Sequence, residues 1–390
     1  MHLRNLTLVI CTLMGTTLPL ASGAHAAAAD PDAARVEALS HLMASAPADA
    51  VEPLRRESGM PQVRQDGKGG WVIELGRDML APYRGAQIPA ELDERLQAMR
   101  LALTLRDEQR GGGGPIAFRF GGEPLEALFA EPVAAPRRVT GKEGVDVFVS
   151  ASHGYYFHHG FGDWRLQRPY VNGVVEDLLT PRFADQVIQQ LTRQGRTSLR
   201  GRSTRTEPHP DSGRPWWQMA SRYHAQALYP LRPDIWQSYA DRTSPLREYN
   251  DDIRARPLLA NERGARALIH LHTNAAADAQ ARGMMAFVQP GRAEDRRLAH
   301  ALLCAVRTGL QATPAYASYR VRVVPLEGNY GENRLATAPS VLIEMGFHTN
   351  VDDAMALQDP VFQAAVATAL AKGHAAFLAG EGAGGEAVCE

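Results

Sequence analysis

Two imidazoles stand near the end of one short apolar run. Ala267-Leu268-Ile269-His270-Leu271-His272-Thr273-Asn274 begins without charge and ends on His270, His272 and a polar pair. Such a run reads as a buried strand, and strands that deliver side chains at their C-terminal ends build the ligand sites of open α/β sheets. A second β-rich run, Val145 to Ser150, ends in Ala151-Ser152-His153-Gly154. Glu176 follows Gly173-Val174-Val175, and Glu344 is the one acid inside Ser340–Phe347. Two imidazoles and a carboxylate suit a zinc ion that keeps a fourth position open for water. A separate carboxylate beside that water supplies the general base and acid of metal-assisted hydrolysis. The residues therefore point to one zinc ion on His153, Glu176 and His272, with Glu344 catalytic. The competing reading of each residue alone is structural: a core histidine with hydrogen bonds, or a buried ion pair. The chain contains no His-Glu-x-x-His, no Gly-x-Ser-x-Gly and no Gly-x-x-x-x-Gly-Lys, so three familiar local motifs are absent.

The elements that must position these residues alternate. Helical spacing runs through Thr180–Gln194, Arg254–Arg263, Arg296–Thr308 and Val361–Leu378, between strands at 145–150, 267–274, 284–288 and 340–347. That alternation predicts α/β layers with a mostly parallel twisted sheet flanked by helices. Upstream, an alternating strand at Trp71–Leu75, a Leu-rich helix over Glu91–Leu105 and a strand at Ile116–Phe120 predict a small α+β domain. A helix is also expected over Arg35–Ala44. The expected units are a signal peptide (1–26), the small domain (34–129), a Pro-containing basic linker (130–143), a catalytic domain (144–380) and a Gly-rich flexible tail (381–390). Residues of about 197–253, rich in Trp, Tyr and Pro, read as an insertion, packed into the core or laid over the cleft as a lid.

Length and charge bound the rest. At 390 residues the chain suits two domains. Lys and Arg number 42 against 43 Asp and Glu, so no basic excess points to nucleic acid. Arg4, the apolar Leu6–Leu20 stretch and Ala24-His25-Ala26 read as a secretory signal with its cleavage site. No later segment reads as long and apolar enough to span a membrane. Cys304 and Cys389 remain after cleavage, and the Gly/Ala-rich setting of Cys389 argues against their pairing.

Residues Val145 to Leu378 resemble the zinc-dependent N-acetylmuramoyl-L-alanine amidases of the amidase-3 type. The resemblance rests on Ser150-Ala151-Ser152-His153-Gly154, Gly173-Val174-Val175-Glu176, Arg256-Pro257-Leu258-Leu259-Ala260-Asn261, Ile269 to Asn274 and Val341 to Asn350, in that order. It implies a peptidoglycan hydrolase that cuts between N-acetylmuramic acid and L-alanine. Zinc would sit on His153, Glu176 and His272, with Glu344 catalytic and Asn274 and Arg256 at the substrate. Ser150 stands where the family usually has Asp, and His270 where it usually has Ser, so both are expected to support the site from behind. His158, His159 and His348 read as surface or substrate-side residues. Residues Phe118 to Pro124 and the strand–helix–strand order before them resemble the GerMN domain of envelope and spore-germination proteins. The implied setting is the periplasm, with the extracellular wall as the alternative, and a protein activator as a possible partner. Two rivals stay open: a zinc carboxypeptidase or endopeptidase on wall peptides, and a catalytically silent envelope-binding relative.

Overall fold

The computed structural model describes residues 61–66, 70–109, 115–135, 144–276, 278–380 and 389. The expected signal peptide, the expected helix over Arg35–Ala44, part of the linker and the expected tail apart from residue 389 lie outside them.

The first unit carries strands β1 (Gln62–Gln65), β2 (Trp71–Leu75), β3 (Ile116–Phe120) and β4 (Glu123–Pro124) in the sheet order β1-β2-β3-β4. Helix α1 (Ala90–Gln109) lies against them, and the short α2 (Leu125–Leu128) closes the unit. Leu92, Leu96, Met99 and Leu103 recur at helical spacing and pack against Trp71, Ile73, Ile116, Phe118 and Phe120. Leu101 and Leu105, on another face of α1, pack instead with Ala281, Met285 and Phe287 of the second unit. One helix therefore serves two cores.

The second unit is built on six strands: β5 (Val147–Ala151), β8 (Ser198–Arg200), β9 (Leu268–Asn274), β10 (Met285–Val288), β11 (Leu326–Glu327) and β12 (Ser340–Phe347). Their order is β11-β10-β12-β9-β5-β8. Only β10 against β12 is antiparallel; the other four pairings in this sheet are parallel. The sheet is mostly parallel, as the alternation of strands with helices predicted. A small hairpin of β6 (Tyr156–His158) and β7 (Asp163–Arg165) stands apart. Helices α3 (Glu176–Arg193), α4 (Ser221–Leu228), α5 (Pro233–Trp236), α6 (Arg247–Glu262), α7 (Ala293–Gln311), α8 (Gly331–Arg334), α9 (Val351–Gln358) and α10 (Pro360–Leu378) complete it.

Helix α3 lays Leu179, Phe183, Val187 and Leu191 on the core shared with α7 and α10. Pro181, inside α3, has no N–H to offer the Asp177 carbonyl. The buried Arg202 donates to that carbonyl instead, at 2.6 Å, and to the Ser152 carbonyl at 2.9 Å. Helix α10 opens with Asp359 as N-cap, accepting from the Val361 N–H, and Pro360 in its first turn. It is long and apolar enough to cross a membrane, contrary to the sequence expectation. Here it is a core helix whose Val366, Leu370 and Phe377 join the main hydrophobic cluster.

The stretch expected as an insertion divides in three. Ser198–Arg200 is the sheet's edge strand β8, and residues from Arg247 onward open α6. Between them Trp216, Tyr223 and Leu246 pack with Tyr156 and Tyr249, so the aromatic residues serve a core. Cys304 and Cys389 are joined by a disulfide, against the expectation drawn from the tail's composition. Arg307, close by on α7, donates to the Cys389 carbonyl and holds this end of the chain on the helix.

Candidate metal centre

Strand β5 ends at Ala151, and two residues later the chain turns sharply. His153 takes a positive φ of 52° and Gly154 one of 124°, conformations that cost a residue with a side chain but redirect its Cβ. Asp177 anchors the turn: its Oδ1 accepts from Gly154 N at 2.9 Å and from Gln167 N at 2.8 Å, and its Oδ2 from Arg168 N at 3.1 Å. Glu176 is the first residue of α3, which begins four residues before the helical spacing expected from Thr180. A carboxylate in a helix's first turn is favoured by the dipole. His272 and Glu344 stand opposite each other in the parallel register of β9 and β12, so one sheet face presents both.

Three donor atoms converge. Glu176 Oε1 lies 3.1 Å from His272 Nδ1 and 3.4 Å from His153 Nε2, and the three ligand atoms fall within 4.8 Å of one another. Zinc bonds of about 2.0–2.1 Å in a tetrahedron set neighbouring donors about 3.3 Å apart, so the spacing suits the ion. The buried His153 Nε2 has no hydrogen-bond partner, and neither has Glu344 Oε2. Unpartnered polar atoms at such depth are costly unless something else engages them. Burial raises the carboxyl of Glu176, but His153 and His272 outweigh it and hold the group well below the usual carboxylate range. For His272, burial works against the charged form, yet Glu332 and Glu176 bring the imidazole up to about 10. Glu344 goes the other way. Burial pushes it up to about 8, with His272 pulling down and Glu176 pushing up.

Other expected residues land elsewhere. Arg256 is fully buried, and its guanidinium donates to Asp252 and Glu332. It lies behind the centre, where it cannot meet substrate as the sequence suggested. Asn274, half-buried at the end of β9, accepts from Ala275 N at 2.8 Å through its side chain. Ser150 donates to the Ala151 carbonyl; the partner of His153 Nδ1 is instead Gln167 Oε1, at 2.9 Å. His270 is buried beside Phe148 with neither nitrogen hydrogen-bonded, and burial lowers it to about 3. His158 is buried against Phe161, not at the surface. His159 pairs with Glu248 at 3.1 Å, and His348 Nδ1 lies 2.9 Å from Thr273 Oγ1. A second cluster among the described residues, His300 with Cys304 and Cys389, has its two sulfurs bonded to each other.

Sequence reasoning missed Gln167, Arg168, Asp177, Asp252 and Glu332. Arg168 stands at the centre's edge, 3.8 Å from Glu176 and 2.9 Å from Glu94 of α1. Glu94 also accepts from the Tyr249 hydroxyl at 2.5 Å, and Asp93 pairs with Arg334 at 3.3 Å. The start of α1 thus lies across this side of the site. His153, Glu176, His272 and Glu344 retain only 1, 2, 5 and 8% exposure.

Residues 147–375 match the amidase-3 family, described as N-acetylmuramoyl-L-alanine amidase, over more than half of the chain. The chain belongs to the amidase-3 family. A similar curated protein is the germination-specific N-acetylmuramoyl-L-alanine amidase of Bacillus subtilis strain 168. It is 29% identical over 143 residues, which are 37% of this chain and 55% of that protein. The chain thus spans about half the length of the curated relative it matches. Among solved structures, the CwlD amidase from Clostridioides difficile in complex with the GerS lipoprotein is 15% identical, with a TM-score of 0.42 over 60% of this chain and 98% of that one. An N-acetylmuramoyl-L-alanine amidase from Clostridium difficile 630 is 17% identical, with a TM-score of 0.39 over 62% of this chain and 100% of that one. The centre of this amidase-3 chain lies inside the matched segment, with all four candidate residues.

Proposed function

We propose that this chain hydrolyses peptidoglycan at the amide between N-acetylmuramic acid and L-alanine, using one zinc ion held by His153, Glu176 and His272. The observation that carries the proposal is the convergence of those three donor atoms beside Glu344, a buried carboxyl with an unpartnered oxygen. When bound, zinc supplies a Lewis acid that acidifies water and polarises the amide carbonyl. Glu344 accepts the water's proton and returns it to the departing L-alanine nitrogen, the two tasks of one general base–acid. Its proton affinity, raised by burial, suits the second task; a nearby cation favours the ionised form needed for the first. Asn274, at the end of β9, is placed to meet the substrate chain. Family membership supports the reaction, and the export signal read in residues 1–26 supports action outside the cytoplasm, in the periplasm. A solved relative is bound to a lipoprotein, which supports a protein partner here as well.

The reading is tested by removing the metal and identifying the products. Chelator-treated protein should lose activity on purified peptidoglycan, and one equivalent of zinc should restore it. The new amino group must be that of L-alanine. New ends within the peptide would point to a zinc peptidase instead, and activity that survives complete metal removal would sink the zinc assignment.

A further inference from the structure

The two histidines are joined behind the centre by one buried hydrogen-bonded chain. His153 Nδ1 lies 2.9 Å from Gln167 Oε1, and Gln167 Nε2 donates to Asp252 Oδ2 at 2.9 Å. Arg256 donates to the same Asp252 oxygen and to Glu332 Oε1. Glu332 Oε1 lies 2.9 Å from His272 Nε2. Gln167, Asp252, Arg256 and Glu332 are 3, 0, 0 and 3% exposed, so water does not compete for these bonds.

The polarity of this chain has one solution. An ionised carboxylate only accepts, so Asp252 turns the Gln167 amide nitrogen towards itself and the amide oxygen towards His153. His153 must then donate from Nδ1, which leaves the lone pair of its neutral ring on Nε2. Glu332 likewise accepts from His272 Nε2, which leaves Nδ1 of that ring for a ligand. The freed nitrogens, Nε2 of one ring and Nδ1 of the other, are the two that face Glu176 Oε1. We infer that Glu332 and Gln167 are positioning residues that set opposite tautomers on the two metal-binding histidines, coupled through Arg256 and Asp252. This inference rests on the zinc reading above. Partners of metal-binding histidines hold ring orientation and basicity, and their loss costs about 10–100-fold in metal affinity.

Glu332→Gln is the informative variant, because it keeps the volume of the buried site. Arg256 and His272 both donate to Glu332, whereas an amide offers them one acceptor and one donor. Zinc affinity, read by competition with a chromophoric chelator on the full chain, should fall about 10–100-fold in Glu332→Gln and in Gln167→Leu. In the double variant the fall should be smaller than the product of the two, the sign of coupling. Histidine nitrogen resonances of zinc-loaded protein should show His153 metallated at Nε2 and His272 at Nδ1. Wild-type zinc affinity in both single variants, or the same nitrogen metallated in both rings, overturns the inference while leaving the zinc reading intact. A lowered melting temperature with unchanged affinity overturns it too. Wild-type protein that holds no zinc overturns both.

Discussion

Gly154 shows how tightly a single residue can be specified next to the centre. Its φ of 124° is one that side chains rarely adopt, and a Cβ there would come within 2.8–2.9 Å of the Ala220 backbone. Backbone strain of this kind costs on the order of 1–3 kcal/mol before the contact is counted. Gly154→Ala is therefore expected to lower the melting temperature and to weaken zinc binding by moving the adjacent His153. An unchanged melt and affinity would show that the turn does not depend on glycine. Glu176 was legible from the run after Gly173, not as the opening of a helix, and His153 and His272 were legible because each stands at the end of an apolar run. Gln167, Asp252 and Glu332 were not. They come from a loop, the middle of α6 and the four-residue α8, and no local spacing links positions 167, 252 and 332. Arg256 was noticed for its place in a motif, but only its burial shows that it faces inward.

At the scale of elements, the apolar runs predicted β5, β9, β10 and β12, with bounds shifted by a residue or two, but not the short edge strands β8 and β11. The helix expected at Arg254 begins seven residues earlier, at Arg247. Tyr249, Asp251 and Ile253, buried in those first turns, lie in a stretch too charged to look like a packed helix. The pairing of α7 with α10 rests on glycine. A Cβ on Gly373 would meet Leu302 Cα at 2.7 Å and the Ala301 carbonyl at 2.8 Å. Gly373→Ala gains helix propensity of about 0.8–1.0 kcal/mol but overpacks at a typical cost of about 1–3 kcal/mol. The obstructing atoms are backbone and cannot rotate away, so overpacking should win. Chemical denaturation is expected to show a net loss of stability, and a gain would mean that the two helices separate freely.

At the scale of the whole molecule, α1 ties the two units together through both apolar and charged contacts. Ala90 N donates to Asn250 Oδ1 at 2.7 Å, and Asn250 Nδ2 donates to Glu91 at 2.8 Å. Burial raises the carboxyl of Glu91 from 4.5 to about 7, with Asn250 and Arg95 lowering it and Glu94 raising it. The folded form therefore binds this proton more tightly than the unfolded form. Its contribution is full below about pH 4.5 and is lost as pH rises through about 7. We predict that the amide hydrogens of α1, after correction for the intrinsic pH dependence of exchange, are less protected at pH 8 than at pH 5.5, and that Glu91→Gln removes the difference. Corrected protection that is the same at both pH values in the wild-type protein would contradict this.

The central claim is that Glu344 performs proton transfer at a zinc site without holding the ion. The most direct test compares wild-type and Glu344→Ala protein, each with zinc content measured, for release of peptides with a free L-alanine amino group from purified peptidoglycan. General acid–base groups contribute about 10²–10⁴-fold. The variant should carry zinc at the wild-type ratio and release peptide at least about 100-fold more slowly. Equal rates at equal zinc content would contradict the account.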